Sequence, residues 1–345
     1  MITSDTPRTS PRAAFTLVEM LIAAALVFVL LALALPAIQA AREASRRNDC
    51  AHRLGQLSLA ALKYEAAKGT FPVSMGTGWD GAYDKDQPGV GWIFNTLPYF
   101  DQQDLYDRFV GAGALVGDVP ADQNCAPDTT REGVGIASAS VCDLLEIQLP
   151  ELLCASDNAR EMKELSYFWL RPTATTNYKG VLDDTWLDPG QNNFHNDDSK
   201  YPSGIYDTLS GGPARDCHRD IRCRGIFFRQ SFRKPVRMAA VLDGASYTAM
   251  VGEDIPLLNA HTVAYYSDGD WCSCNIPLNN GLTTPDPIAF RTQWGSARGF
   301  KSRHPGGIQF AYVDGSVRFL SDQSDHALFR ATCTRSRGEV FAKAK

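Results

Sequence analysis

Nothing in this 345-residue chain matches the Walker A, G-x-S-x-G or H-E-x-x-H patterns. A phosphate-cradling loop, a nucleophile elbow and a zinc-peptidase helix therefore have no carrier readable in it. Positive charge is in short supply, with 34 Lys and Arg against 39 Asp and Glu. A chain so balanced has no basic footprint, which excludes nucleic acid as its main partner. No internal repeat of solenoid period occurs, so a stacked-repeat architecture is excluded as well. Long hydrophobic runs are scarce. Residues 20–35 are apolar throughout, and only with residues 15–18 and Ala37-Ile38 added does any stretch reach the roughly 20 residues that cross a bilayer.

That run carries one carboxylate, Glu19. A carboxylate in hydrocarbon costs about 2.5–3.5 kcal/mol on insertion scales, so it marks a contact with a cationic partner. The segment Phe15-Thr16-Leu17-Val18-Glu19-Met20-Leu21, behind a polar leader holding Arg8 and Arg12, resembles the N-terminal segment of type IV prepilins and type II secretion pseudopilins. The resemblance implies cleavage between Ala14 and Phe15 by a membrane prepilin peptidase and N-methylation of Phe15. It also implies that Glu19 meets the amine of a neighbouring subunit's Phe15 and sets filament register. That family usually has Gly before the cut; here Ala14, the next smallest residue, stands there. An ordinary signal peptide using Ala32-Leu33-Ala34 as its small-residue site is the competing reading, and it has no use for Glu19.

Basic residues flank the span on both sides, Arg8 and Arg12 before it and Arg42, Arg46, Arg47 and Arg53 after it. Counted alone they place the larger part of the chain in the cytoplasm. The prepilin resemblance implies the opposite: a single pass of the inner membrane with the head in the periplasm or at the cell surface. Nine cysteines occur, at 50, 125, 142, 154, 217, 223, 272, 274 and 333. In an extracytoplasmic head they read as disulfides of open connectivity with one thiol left over, and in a cytoplasmic head as metal ligands.

Past Pro36 the helical spacing persists through Cys50, Leu54, Leu57, Ala61 and Tyr64. One helix is expected over residues 16–67, about 78 Å long at 1.5 Å per residue. Pro36 should kink or locally melt it, and Gly69 with Pro72 should end it. Short β-type runs follow at Gly225-Ile226-Phe227-Phe228, Met238-Ala239-Ala240-Val241-Leu242 and Thr248-Ala249-Met250-Val251, while residues 183–220 read as a long insertion or flexible loops. Near the end, Ile308, Phe310 and Tyr312 alternate with Gln309 and Ala311, then Asp314-Gly315 precedes Val317 and Phe319. This predicts a two-residue hairpin with both turn residues at positive φ.

His304, Asp314 and Gly315 give the chain an H-x9-D-G signature. In this it resembles large prepilin-like bacterial proteins of unknown function. Similar stretches include Leu97-Pro98-Tyr99-Phe100-Asp101-Gln102, Cys154-Ala155-Ser156-Asp157, Asn177-Tyr178-Lys179-Gly180, and Asp243-Gly244-Ala245-Ser246 leading to Val251-Gly252-Glu253. The resemblance implies a pilin-like architecture and supplies no biochemical activity.

His304 and Asp314, brought together by the hairpin, would offer a metal or acid–base pair. Two ligands are too few, so His304 is expected to order its His-Pro-Gly-Gly loop through a backbone hydrogen bond, and Asp314 and Gly315 to shape the turn. Cys217-His218 with Cys223, and Cys272-Ser273-Cys274, fit zinc spacings poorly and read as disulfide partners. Asp197-Asp198 and Asp268-Gly269-Asp270 read as solvated turns. A structural Ca2+ is the one cofactor they leave open, since no EF-hand loop is present. Gly76-Thr77-Gly78-Trp79-Asp80-Gly81 matches G-x-G-x-x-G formally but lacks a flanking strand and helix. Trp79, Trp92, Trp186, Trp271 and Trp294 are expected to anchor loops, with a glycan-binding platform as the alternative.

The expected fold class is α+β: a long N-terminal transmembrane helix packed on a loop-rich, mainly antiparallel, pilin-like head. The expected divisions are a leader at 1–14, an assembly helix at 15–38, its continuation at 39–68 and the head at 69–345. The expected function is a non-enzymatic structural subunit, assembled through Glu19 and Pro36 with other pilin-like subunits. An exported enzyme and a surface adhesin are the rivals.

Overall fold

A computed structural model of the protein describes residues 16–76, 87–116, 135–157, 164–165, 172–184 and 223–336. The chain divides between Ser45 and Arg46 into two units. Helix α1, Leu17–Lys68, crosses that division. Its N-terminal half exposes large apolar side chains from Leu17 to Ile38, and among the described residues it is the one helix long and apolar enough to span a membrane. Thr16 and Glu19 close a capping box at its start: Glu19 Oε2 accepts the Thr16 N–H at 2.8 Å and hydroxyl at 2.9 Å, and Thr16 Oγ1 accepts the Glu19 N–H at 3.3 Å.

Pro36 lies inside α1 and the helix continues through it, so the expected melting does not occur. The ring removes one backbone donor, while the Ala- and Leu-rich turns on either side favour the helix. Gly69 ends α1 with φ at +75°, its N–H bonded to Glu65 O at 2.7 Å.

Within the second unit, Leu54, Leu57, Ala60 and Ala61 of α1 enter the main core. Short helices follow: α2 (Trp92–Thr96), α3 (Gln103–Gly111), α4 (Ala139–Cys142), α5 (Pro287–Arg291), α6 (Trp294–Ala297) and α7 (His326–Thr332). A small ribbon pairs β1 (Glu164–Leu165) with β2 (Pro172–Thr173). The larger sheet holds β3 (Tyr178–Val181), β4 (Ala249–Glu253), β5 (Trp271–Cys272), β6 (Gly307–Tyr312) and β7 (Val317–Ser321) in the order β5-β3-β4-β6-β7. The β3–β4, β4–β6 and β6–β7 pairs are antiparallel and β3–β5 is parallel. The expected α+β class and the mainly antiparallel sheet are both found.

The sheet is covered on both faces. Tyr178, Val251, Ala311 and Val313 join the core that α1 enters. Ile308, Phe310 and Tyr312 join a second core with Phe300 and Phe329. This is why every residue of β6 is buried, the polar Gln309 between Ile308 and Phe310 included. Met250 forms a bulge between Ala249 and Val251, and it and Val251 both reach the main core.

Three sequence expectations need correction. The Asp314-Gly315 turn has a three-residue loop: Gly315 N–H reaches Tyr312 O, Tyr312 N–H reaches Ser316 O, and Gly315 alone is at positive φ (+84°). It is a type I turn closed by a left-handed glycine, which lets Asp314 keep an ordinary φ. Met238–Ala240 is a 3-10 turn, with no strand paired to it among the described residues. Residues 225–228 form no strand either. There Phe227 makes a single ladder-like bond, N–H to Val181 O at 3.1 Å, and its ring stacks on Trp92 at 4.1 Å.

Candidate functional site

Four distant positions converge where β4 and β6 lie side by side. Cys50 comes from α1, Cys154 from the loop after the 3-10 turn Pro150–Leu152, Glu253 from the end of β4, and His304 from the loop entering β6. Their exposures are 0%, 4%, 1% and 2%. His304 Nε2 lies 3.3 Å from Glu253 Oε1 and 3.5 Å from Cys154 Sγ, and Cys154 Sγ lies 3.7 Å from Glu253 Oε1. Cys50 and Cys154 form a disulfide, and one donor atom from each of the four residues falls within 4.8 Å of the others.

The surroundings hold these groups in place. The second Glu253 oxygen accepts the Gln309 N–H of β6 at 2.9 Å. Asn177 acts as a hub: its Oδ1 accepts the Cys154 N–H at 2.9 Å, and its Nδ2 donates to Asp157 at 2.8 Å and to Asp254 O at 2.9 Å. Arg53 of α1 donates to Pro150 O and Leu153 O, both at 2.8 Å, fixing the loop that presents Cys154. Tyr178 donates its hydroxyl to Cys50 O at 3.2 Å. Burial, aided by the Glu253 charge, pushes that phenol well above its ordinary pKa.

A second buried polar network adjoins the first through Asp254. Lys301 Nζ lies 3.1 Å from Asp254 Oδ1, and Asn259 donates to the other Asp254 oxygen at 2.6 Å. Lys179 Nζ donates to His261 O at 2.9 Å and also to Gly269 O. Arg298 pairs with Asp268 at 3.4 Å and stacks over Trp271, 3.8 Å from the ring centre. Burial lowers Lys179 to about 8 and raises Asp270 to about 8. Asp268 and Asp270 are therefore fully buried, not the solvated turn carboxylates that the sequence suggested. Arg298 gives Asp268 a basic partner, while neither Asp270 oxygen has a hydrogen-bond partner among the described residues, which is why burial raises that carboxyl. Gly180 belongs to this packing too, since a Cβ there would meet Trp92 Nε1 at 2.7 Å.

The sequence-nominated residues fall in separate places. Ala14 and Phe15 lie outside the described residues, as do Cys125, Cys217, His218, Asp197, Asp198, Trp79 and Trp186. His304 and Asp314 sit beyond opposite ends of β6, six residues long, so the hairpin does not bring them together. His304 directs Nε2 at Glu253 and Cys154, a longer reach than the loop-ordering role expected of it. Asp314 accepts the Ser316 N–H at 2.9 Å and hydroxyl at 2.6 Å, and pairs with Arg318 at 3.2 Å. Against the desolvation of partial burial, those partners hold its carboxyl below the ordinary range. Cys274 pairs with Cys333, Cys142 and Cys223 are disulfide-bonded, and Cys272 is a buried free thiol. Trp92 opens α2 and Trp271 lies in β5, both fully buried in the core and not in loops, which removes both from any glycan platform.

Sequence reasoning missed Cys50, Cys154 and Glu253 as partners of His304. Cys50, Cys154, Glu253 and His304 lie up to 254 positions apart in the chain, and no local pattern joins them. The family model described as "Protein of unknown function (DUF1559)" matches residues 39–327. The chain belongs to that family. No curated protein and no solved structure matches it.

Proposed function

We propose that this protein is a membrane-anchored, pilin-like structural subunit, cut between Ala14 and Phe15 by a prepilin peptidase and methylated on Phe15. It joins other pilin-like subunits through its N-terminal helix, with the folded residues outside the inner membrane. The observation that carries the reading is the exposed apolar half of α1 with one carboxylate, Glu19, in its first turn. Exposed Leu, Val and Phe side chains on a helix of this length need a bilayer or neighbouring helices to cover them. The disulfides support an oxidising compartment for the remainder.

The capping box makes the choice of variant important. Glu19→Ala would remove the cap and the charge together, whereas Glu19→Gln keeps a capping-box residue and removes the charge alone. The reading expects Glu19→Gln to insert in the membrane normally and to fail to enter any filament. It also expects intact mass of the membrane-extracted protein to begin at a methylated Phe15. Normal assembly of Glu19→Gln, or a native chain that retains its first fourteen residues, would refute it.

A further inference from the structure

We infer that Cys50, Cys154, Glu253 and His304 form a zinc site gated by the Cys50–Cys154 disulfide: crosslinked when oxidised, and taking one Zn2+ when reduced. Zinc bonds of about 2.3 Å to sulfur and roughly 2.0–2.2 Å to imidazole nitrogen and carboxylate oxygen put the edges of a tetrahedral site at about 3.3–3.8 Å. Three such edges already exist: Cys154 Sγ to His304 Nε2 at 3.5 Å, His304 Nε2 to Glu253 Oε1 at 3.3 Å, and Glu253 Oε1 to Cys154 Sγ at 3.7 Å. One triangular face of the tetrahedron is thus in place. The fourth donor, Cys50 Sγ, is within 4.8 Å of the others and is drawn toward Cys154 by the disulfide.

The supporting contacts are those a structural metal site uses. Glu253 commits one oxygen to the Gln309 N–H, which aims the other at the centre, and the Ala155 N–H donates to Cys50 Sγ at 2.9 Å, a bond that favours a thiolate there. All four residues are buried, as expected of a closed structural site and not of a catalytic one with an open position. In the gating step a dithiol reductant delivers two electrons and two protons to the S–S bond and becomes a disulfide itself. Zn2+ then binds both sulfurs as thiolates, releasing the two thiol protons to solvent, with neutral His304 and ionised Glu253 completing the set.

The test uses the full-length chain in detergent, reduced anaerobically with a dithiol, freed of reductant and titrated with Co2+ and then Zn2+. One equivalent of Co2+ should bind with a thiolate-to-cobalt charge-transfer band and be displaced by Zn2+, while oxidised protein binds none. His304→Ala and Glu253→Gln keep every cysteine, so thiols elsewhere still contribute background, yet each should weaken Zn2+ binding by about 100-fold or more. Wild-type affinity in both variants would overturn the proposal, because the cluster would then be an ion pair packed beside a crosslink. If reduction unfolds the protein, Cys50→Ser opens the pair with the other disulfides intact. Its Cys154 should then be shielded from alkylation by Zn2+, and that shielding should vanish when His304→Ala is added. An unshielded Cys154 in the folded Cys50→Ser protein would overturn the proposal equally.

Discussion

Lys179 and Asp270 show how buried charge is handled one residue at a time. Lys179 keeps its ammonium by donating to two backbone carbonyls, His261 O and Gly269 O. Lys179→Met fills similar volume but strands both carbonyls, and should cost about 3 kcal/mol in urea unfolding. Asp270 titrates in the opposite sense. Burial raises its folded pKa to about 8, while in the unfolded chain it is about 3.9. Between those values the folded state holds a proton that the unfolded state has released, so stability falls as pH rises from about 4 to about 8. Lys179, lowered to about 8 from an unfolded value near 10.4, makes stability rise again above that point. Asp270→Asn should make the lower slope shallower, the remainder coming from Asp184, which burial and the neighbouring Asp183 also raise, and leave the upper one, read from unfolding free energies measured across the whole range. Neither residue could have been assigned this behaviour from sequence, where Asp268-Gly269-Asp270 has the composition of a surface turn.

Among the elements, two glycines flanking β6 are of different kinds, Gly315 in the turn after it and Gly252 on the neighbouring strand β4. Gly315 is at φ +84° with Leu62 3.6 Å from where a Cβ would lie, so Gly315→Ala has space and pays only backbone strain, about 1 kcal/mol. Gly252 has an ordinary φ, but its Cβ would overlap the Phe310 and Phe300 rings. Gly252→Ala should therefore cost more, about 2–3 kcal/mol, by overpacking the second core. Thermal unfolding of the two variants side by side checks the order. The hairpin's existence was legible because alternation and Asp-Gly are local signals. Its three-residue loop and double-sided burial were not, because they depend on β4 and on Phe300 and Phe329 arriving from elsewhere. Helix α1 was legible almost to the residue, since its apolar content and spacing lie within it and the Gly69 stop immediately follows it.

For the molecule as a whole, two disulfides close loops of very different span. Cys50–Cys154 bridges 104 residues and Cys274–Cys333 bridges 59. Loops of this size are worth roughly 4–5 kcal/mol each by chain entropy, with the longer loop slightly ahead. The double replacement Cys274→Ser with Cys333→Ser should lower stability by about 2–5 kcal/mol and leave Zn2+ uptake by the reduced protein unchanged. Opening Cys50–Cys154 should cost a similar amount in the absence of metal, with part of the loss recovered when Zn2+ is added. Urea unfolding of the four states, with and without Zn2+, distinguishes a crosslink that only staples α1 from one that also guards a site.

The sequence by itself determined the long helix and where it stops, the α+β class, the reading of cysteines as disulfide partners, and the hairpin near the C-terminus. Each of these follows from apolar spacing, turn chemistry or composition along a continuous stretch of chain. Only the tertiary structure decided which cysteines pair, that Asp268 and Asp270 are buried, and that His304 faces Glu253 and Cys154 instead of Asp314. Those outcomes depend on strand order and on burial from both faces of the sheet, and residues up to 254 positions apart carry no local pattern that announces their contact.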